Sequence, residues 1–322
     1  MINDMPNLVD DSIKRYFSEK LQTAALLGDI KALKLCLQND ADIDYQDDGG
    51  WTALMLGACK GHVEVCRLLL ENRCKKDITD DGGWTALMLG ACKGHVEVCR
   101  LLLENRCKKD ITDVDGWTAL MVAACKGDVE VCRLLLENKC KKDITNDGGW
   151  TALMLGACKG HVEVCRLLLE NRCKKDITDV NGLTALMVAA CEGHVEVCRL
   201  LLENKCKKDI TNDGGLTALM MAASKGHVEV CRLLLENKCK KDITDRITGS
   251  TALHIAAMWG HLQVTRYLVE EGGISPLVKT HQGKTPYDLA AGQKYGQYKE
   301  VMEYLQVHML LNFKCLHLEY II

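Results

Sequence analysis

The chain has 322 residues, with 41 basic and 44 acidic side chains for a net charge of −3, so no global field exists to gather nucleic acid. Its longest apolar runs are far too short to cross a bilayer, and the opening MINDMPNLVDD lacks the basic start and apolar centre of a secretion signal. Nineteen cysteines with no such signal point to reduced thiols rather than to a disulfide framework.

Residues 1–13 match nothing else in the chain and are read as an N-terminal extension, in which Asp10, Asp11 and Ser12 cap a helix running into Tyr16 and Phe17. From residue 14 to about 46 the pattern of the rest begins. GDIKALKLCLQNDADID aligns with GHVEVCRLLLENRCKKD at an offset of 33, and Lys31, Lys34 and Gln38 spread polar groups over its second helix, as a terminal repeat requires.

Six close copies follow, beginning at Trp51, Trp84, Trp117, Trp150, Leu183 and Leu216. In the copy over 84–116, Thr85 stands where a helix N-cap is wanted. A short apolar helix follows over 86–93 and Gly94 stops it in the left-handed conformation. A second helix over 96–105 lines up Val96, Cys99, Leu102 and Leu103 on one face. The remainder, through Lys-Asp-Ile-Thr and Asp-Val-Asp-Gly, reads as an extended finger with a tight turn. Helices this short do not stand alone in water, so each pair buries its apolar face on its neighbours. Gly90 and Ala91, with Ala123 and Ala124 at the equivalent positions, are small enough to let neighbouring repeats approach closely. Near residue 245 an eighth copy has one extra finger residue and the run TALH at 251–254. A ninth starts near 279 and carries Pro286 at a first helical position. The tail over 307–322, VHMLLNFKCLHLEYII, is too apolar for a solvated end. It either packs on the last repeat as an extra helix or strand, docks on a partner, or is a poorly ordered extension.

A 33-residue period with T-x-L-x-x-A near its start resembles the ankyrin repeat family. The resemblance covers about 14–306 and implies an all-α solenoid: about nine stacked helix-turn-helix units with β-turn fingers, in one elongated array with diverged end repeats. It also implies a non-enzymatic protein–protein interaction scaffold or adaptor, with partner proteins held on a concave face of finger tips and first helices. The matching positions are Trp51, Trp84, Trp117, Trp150, Leu183 and Leu216, with Lys60, Lys93, Lys126 and Lys159 beside them. Tryptophan is enriched at binding hot spots, which favours a partner-binding stripe. The competing reading is that each indole lies across its neighbour's finger as packing. The family's T-P-L-H is T-A-L-M in six copies, so the ties that the family's histidine makes between turns are expected to become apolar contacts, with His254 alone keeping the polar one. The family's Gly-Ala after the second helix is Arg73-Cys74 here, and Asn72 is expected to take the left-handed conformation.

Other chemistry is weaker in the sequence. The spacing C-x2-H-x3-C, as in Cys92, His95 and Cys99, invites a zinc reading. However, Asp128 replaces the histidine in one copy and Ser224 the first cysteine in another, so the histidine position reads as a helix cap. No metal or cofactor is expected. The pairs Lys75-Lys76, Lys108-Lys109 and their equivalents form a basic ladder able to follow a polyanion, but Asp77, Asp110 and Asp143 follow at once, which disfavours nucleic acid. No nucleotide-loop, nucleophile-elbow, zinc-protease or kinase signature occurs, so no enzyme is expected. A monomer in the cytoplasm, or else the nucleus, with other proteins as partners and no membrane, is the reading that results. Membership of a larger enzyme or channel assembly as its regulatory part is the alternative, against which the complete-looking ends count.

Overall fold

The computed structural model describes residues 6–293 and 298–319, and side chains over 11–293 and 298–311. It separates into two compact units, Met1–Asp147 and Gly148–Ile322. All eighteen described elements are α-helices. The first unit holds α1 (Pro6–Leu27), α2 (Ile30–Gln38), α3 (Ala53–Lys60), α4 (Val63–Glu71), α5 (Ala86–Cys92), α6 (Val96–Glu104), α7 (Ala119–Lys126) and α8 (Val129–Glu137). The second holds α9 (Ala152–Cys158), α10 (Val162–Glu170), α11 (Ala185–Glu192), α12 (Val195–Glu203), α13 (Ala218–Lys225), α14 (Val228–Glu236), α15 (Ala252–Met258), α16 (Leu262–Glu270), α17 (Pro286–Ala291) and α18 (Tyr298–Glu319). Pairs α3–α4 through α15–α16 have regular lengths. The end pairs carry helices of 22 residues, α1 and α18, so the sequence count of about nine repeats is slightly high.

Within each unit, like packs on like. First helices stack on first helices (α3 on α5 on α7; α9 on α11 on α13 on α15 on α17), and second helices on second helices (α4 on α6 on α8; α10 on α12 on α14 on α16). The first helix is buried along nearly its whole length: Ala119 to Ala124 are all in the core of α7. The second helix is amphipathic. Val98, Cys99 and Leu102 are fully buried, while Glu97 and Arg100 form an exposed ion pair at 3.5 Å that contributes little to stability. Each such leucine removed from water contributes roughly 1.5–3 kcal/mol.

The termini of each helix follow the local sequence. Thr85 Oγ1 accepts a hydrogen bond from Met88 N at 3.3 Å, and the same cap recurs at Thr118, Thr151, Thr184 and Thr217. Gly61 ends α3 at φ +77, and an added Cβ there would sit 2.7 Å from the His95 ring of the next repeat. The second helix ends differently from the sequence expectation. Asn72 keeps φ −84, and Arg73 itself takes the left-handed conformation at φ 63, as do Arg106, Lys139, Arg172, Lys205 and Lys238. Cys74 N donates to Leu69 O and Arg73 N to Leu70 O, which is the paired closure of a Schellman end. Cys74 and Leu69, the two residues joined by the longer of these bonds, are both buried. The Asn72 side chain is occupied elsewhere, its Nδ2 donating to Leu68 O.

The small pair of the first helix also acts differently from expectation. A Cβ on Gly90 would meet Cys99 Sγ at 3.1 Å, and one on Gly57 would meet Val65 Cγ1 at 3.0 Å. The tight contact is therefore to the second helix of the same repeat. Where alanine takes this place, at Ala123 and Ala189, the preceding leucine becomes Val122 or Val188, a nearly volume-conserving exchange.

At the N-terminus the helix starts at Pro6, so residues 10–12 lie inside α1 rather than capping it. Proline is tolerated in a first turn, where its missing N–H is one of the unpaired donors anyway. At the C-terminus, Val301, Tyr304 and Leu305 of α18 pack on Ala257 and Ala290, and Tyr304 Oη donates to Glu270 Oε1 at 3.1 Å. The apolar tail continues this helix to Glu319, with Val307, Leu310 and Leu311 exposed. Residues 320–322 lie outside the described residues.

Polar ties between repeats are more numerous than the sequence suggests. Asp77 Oδ1 accepts from Lys108 N at 2.7 Å and Asp110 Oδ1 from Lys141 N at 2.7 Å. In the second unit, Asp176 accepts from Lys207 N and Asp209 from Lys240 N, both at 2.8 Å. The fingers are joined by Asp81 N to Gly49 O, Val114 N to Gly82 O, Val180 N to Gly148 O and Asp213 N to Asn181 O. A third tie comes from the histidine before the second helix. His95 Nε2 bonds the Cys59 carbonyl at 3.1 Å, and His194 Nε2 bonds that of Cys158 at 2.9 Å. His95 and His194 make no side-chain cap bond, whereas Asp128 at the same position caps Val131 N. The expectation of a cap therefore holds for Asp128 and fails for His95 and His194, because the imidazole is long enough to reach the neighbouring repeat. His194→Ala is expected to lower the urea-unfolding free energy by about 1 kcal/mol. His194→Asp should recover part of this through capping, and equal losses from both would rule out the capping account.

Candidate functional site

Each finger turn positions one side chain on the face it shares with the first helices. Asp80 Oδ1 accepts from Gly82 N at 3.0 Å and from Trp84 N at 2.7 Å, while Asp80 N donates to Trp84 O. This is an Asx-type closure that holds the Trp84 backbone at both its polar groups. Gly83 completes the turn at φ +81, and a Cβ there would lie 2.7 Å from Asp113 Cα of the next finger, so no other residue fits. The closure recurs around Asp47 and Asp113, and in the second unit around Asp179.

The side chains so placed are Trp51, Trp84 and Trp117 in the first unit and Trp150, Leu183 and Leu216 in the second, all half-buried. Each indole or isobutyl group thus has one part against protein and one part against solvent. A Cβ on Gly49 would stand 3.5 Å from Trp51 Cδ1, and one on Gly82 the same distance from Trp84 Cδ1, so the ring rests beside its own finger. Lys60, Lys93, Lys126 and Lys159 are exposed at the ends of the first helices.

The cysteines fall into two classes. Cys59, Cys92, Cys125 and Cys158 are half-buried beside those lysines, as is Cys191 beside Glu192, and the others described are buried; none of the described cysteines is in a disulfide. Burial pushes Cys99, Cys107, Cys198, Cys206, Cys231 and Cys239 up to about 12. Such thiols stay protonated and poorly nucleophilic at neutral pH. Among the described residues no His, Cys, Asp and Glu cluster is arranged to hold a metal ion.

The lysine pairs are partly absorbed by the fold. The first lysine gives its backbone N–H to the preceding repeat's aspartate. In the second unit the second lysine reaches forward: Lys208 Nζ donates to Asn237 O and Lys241 Nζ to Gly272 O, both at 2.7 Å. Lys75 is within 3.8 Å of Asp44.

His254 keeps the family's polar tie. Thr251 N donates to Nδ1 at 3.2 Å, which leaves the proton on Nε2 to donate to Lys284 O at 3.1 Å. The ring is fully buried, and burial holds its pKa below the ordinary histidine value. In the earlier copies a methionine takes the place, and Met55 Sδ accepts from Thr52 N at 3.4 Å.

One feature of this face departs from the repeat. At the α13–α15–α17 end, an apolar cleft of about 450 Å³ is lined by Leu216, Met221, Ser224, Ile247, Met258 and Trp259 among others. Trp259 occupies the place that Lys93 has in its repeat and is 56% exposed; Ile247, in the lengthened finger, is 81% exposed. The sequence signal was the exchange of Cys-Lys for Met-Trp at 258–259, which the period alone does not weigh.

Residues 21–113, 105–179, 171–245 and 237–312 each match the family described as ankyrin repeats (3 copies). The chain belongs to the ankyrin repeat family, whose repeats are in general protein–protein interaction modules and typically non-catalytic. A search of curated proteins returned no match. Among the described residues no helix is long and apolar enough to cross a membrane.

The buried thiols have a measurable consequence. A folded-state pKa raised to about 12 from the ordinary 9.0 stabilises the fold fully below pH 9 and progressively less as pH rises toward 12. The urea midpoint should therefore fall steeply above pH 9, and Cys99→Ala with Cys198→Ala should flatten that fall. A midpoint unchanged between pH 9 and 11 would contradict the linkage.

Proposed function

We propose that this chain is a non-enzymatic scaffold that holds partner proteins on the face built from finger turns and first helices. The observation that carries the reading is the half-buried apolar group at the start of each close copy, held by the side-chain closure of its own finger, aspartate for Trp51, Trp84, Trp117 and Leu183 and asparagine for Leu216, with an exposed lysine near most of them. A side chain half in contact with protein is already ordered, so a partner that covers the rest pays little entropy for it. Tryptophan in that setting supplies a large contact area and an N–H donor. The lysines Lys60, Lys93, Lys126 and Lys159 add charge that selects among partners and speeds encounter.

The polyanion reading is less well supported, since an aspartate follows each lysine pair at once, and Lys208 Nζ and Lys241 Nζ already donate to carbonyls of the next repeat. Salt dependence separates the two: phosphate binding collapses with added salt, whereas apolar anchoring does not. A cytoplasmic or nuclear adaptor acting as a monomer is consistent with this reading, as is a regulatory role within a larger assembly.

Leu183 and Leu216 show that leucine is compatible with the finger, which makes Trp84→Leu with Trp117→Leu a fold-conserving test. A partner captured by the natural chain and identified by mass spectrometry is expected to bind this double variant at least about tenfold more weakly, with the thermal midpoint little changed. Unchanged affinity would place the contact elsewhere, and a large drop in thermal midpoint with affinity preserved would assign the indoles to packing.

A further inference from the structure

A surface repeated every 33 residues has a defect as a docking site. A partner that fits one copy fits the next with the same contacts, so the close copies by themselves cannot define a single register. A unique complex needs groups that occur once. On this face they are concentrated in the second unit, at the cleft between α13, α15 and α17. There Met221 stands where other copies have leucine or valine, Ser224 where they have cysteine, and Met258-Trp259 where they have Cys-Lys or Cys-Glu. The eighth finger is one residue longer. Asp245 N bonds Ser250 O across the added residue, and Ile247 is left 81% exposed over the cleft mouth.

The lining is unusually adaptable. Met220, Met221 and Met258 flank Ile255, and Trp259 presents much of its indole. Thioether side chains reshape to accept differing apolar groups, and a space of about 450 Å³ lies within the range of ligand sites.

Charged side chains of both signs surround the cleft, with cations in the majority among the exposed ones. Lys284 lines it, and Lys225 and Arg246, both exposed, are chain neighbours of the lining Ser224, Asp245 and Ile247. The one carboxylate in the lining is already satisfied: Asp245 Oδ1 accepts from Ile247 N and Thr248 N, and Oδ2 from Thr248 Oγ1 and Ser250 N. Asp288 likewise accepts from Thr285 N and Oγ1, and Glu192 lies one repeat away, outside the lining. The cleft therefore offers an apolar floor whose margin carries three cations, Lys225, Arg246 and Lys284, against the two carboxylates Asp245 and Asp288, whose acceptors are already used.

We infer that the cleft bounded by Met221, Ile247, Met258 and Trp259 is the register-setting anchor site of this protein, and that it takes an acidic peptide segment presenting one or two bulky apolar side chains. The inference deepens the scaffold reading and rests on it. The apolar side chains enter between the methionines and Trp259, and the flanking carboxylates face Lys225, Arg246 and Lys284.

The internal repeats supply variants that the fold already tolerates. Met258→Cys with Trp259→Lys restores the pair found at 92–93, and Lys225→Glu copies the residue at 192. The probe is a random short-peptide library displayed on phage, selected against the full chain, with each enriched sequence then synthesised and measured by fluorescence anisotropy. Enriched sequences should carry one or two of Leu, Ile, Met, Phe or Trp among Asp and Glu. They should bind M258C/W259K at least about tenfold more weakly, and they should bind K225E/K284E more weakly at low salt, with that deficit shrinking at high salt. Failure to enrich any peptide overturns the inference, as does enrichment of basic sequences or equal binding to M258C/W259K. Peptides lost on W84L/W117L but retained by M258C/W259K would overturn it while leaving the scaffold reading intact. A chain that dimerises by sedimentation and becomes monomeric on W259K would make a second copy the occupant, and would overturn it too.

Discussion

Nearest-neighbour burial is the constraint on which everything else in this protein depends. A seven- to nine-residue helix is too short to persist in water, and a pair of them still leaves an apolar face uncovered. Within each unit the neighbouring repeat covers that face, and three directed polar ties set how it does so: aspartate to the next lysine's N–H, finger to finger, and histidine to the preceding repeat's carbonyl. The apolar contact supplies most of the free energy and the ties supply the register. Ties of this kind are worth about 1 kcal/mol each, but they recur at successive interfaces and cannot be satisfied if a repeat slips by one residue.

The same constraint explains which positions are free to serve as a binding surface. First-helix residues such as Leu87 and Met88 are consumed by stacking, and Glu97 and Arg100 of the second helix face solvent in local ion pairs. What remains is the edge of the stack. There the finger closure fixes a backbone whose side chain is only half covered, and each first helix ends in an exposed residue. Tryptophan fills the first of these places in four successive close copies and leucine in the next two, and lysine, glutamate and tryptophan occupy the second. Much of the variation falls at positions that stacking does not use, with buried exceptions such as Val122-Ala123 for Leu89-Gly90 and His254 for Met88.

Departures from the repeat then become informative. A substitution in one copy of a near-identical array is tested by the other copies, which show what the fold alone would accept. Asp128 is explained in this way, since it exchanges a tie to the preceding repeat for a cap on its own helix. Arg73 and its equivalents hold a left-handed backbone that the family fills with glycine; the Schellman closure persists because its bonds are made by backbone N–H groups, whatever the side chain. Met258 and Trp259 have no such structural account, and they line a cleft.

Much of this architecture could be read from the letters. The period of 33, the threonine caps, the glycine that stops the first helix and the i, i+3, i+4 apolar face of the second are local patterns. Local patterns survive in sequence because they are set by residues near one another in the chain. The aspartate, histidine and lysine ties were not legible, since their partners lie 29 to 36 residues away and are mostly backbone atoms, which carry no letter. Nor was the left-handed residue after the second helix, where the capping side chain of Asn72 turned back to Leu68 and left the strain to Arg73. The sequence by itself determined the helix pairs, their order and the positions facing outward at each finger. Only the tertiary structure decided how deeply each tryptophan is covered, and that Met221, Ile247 and Trp259, far apart in the chain, close around one space. Burial and cavities are properties of what neighbouring repeats bring together, and no single repeat encodes them.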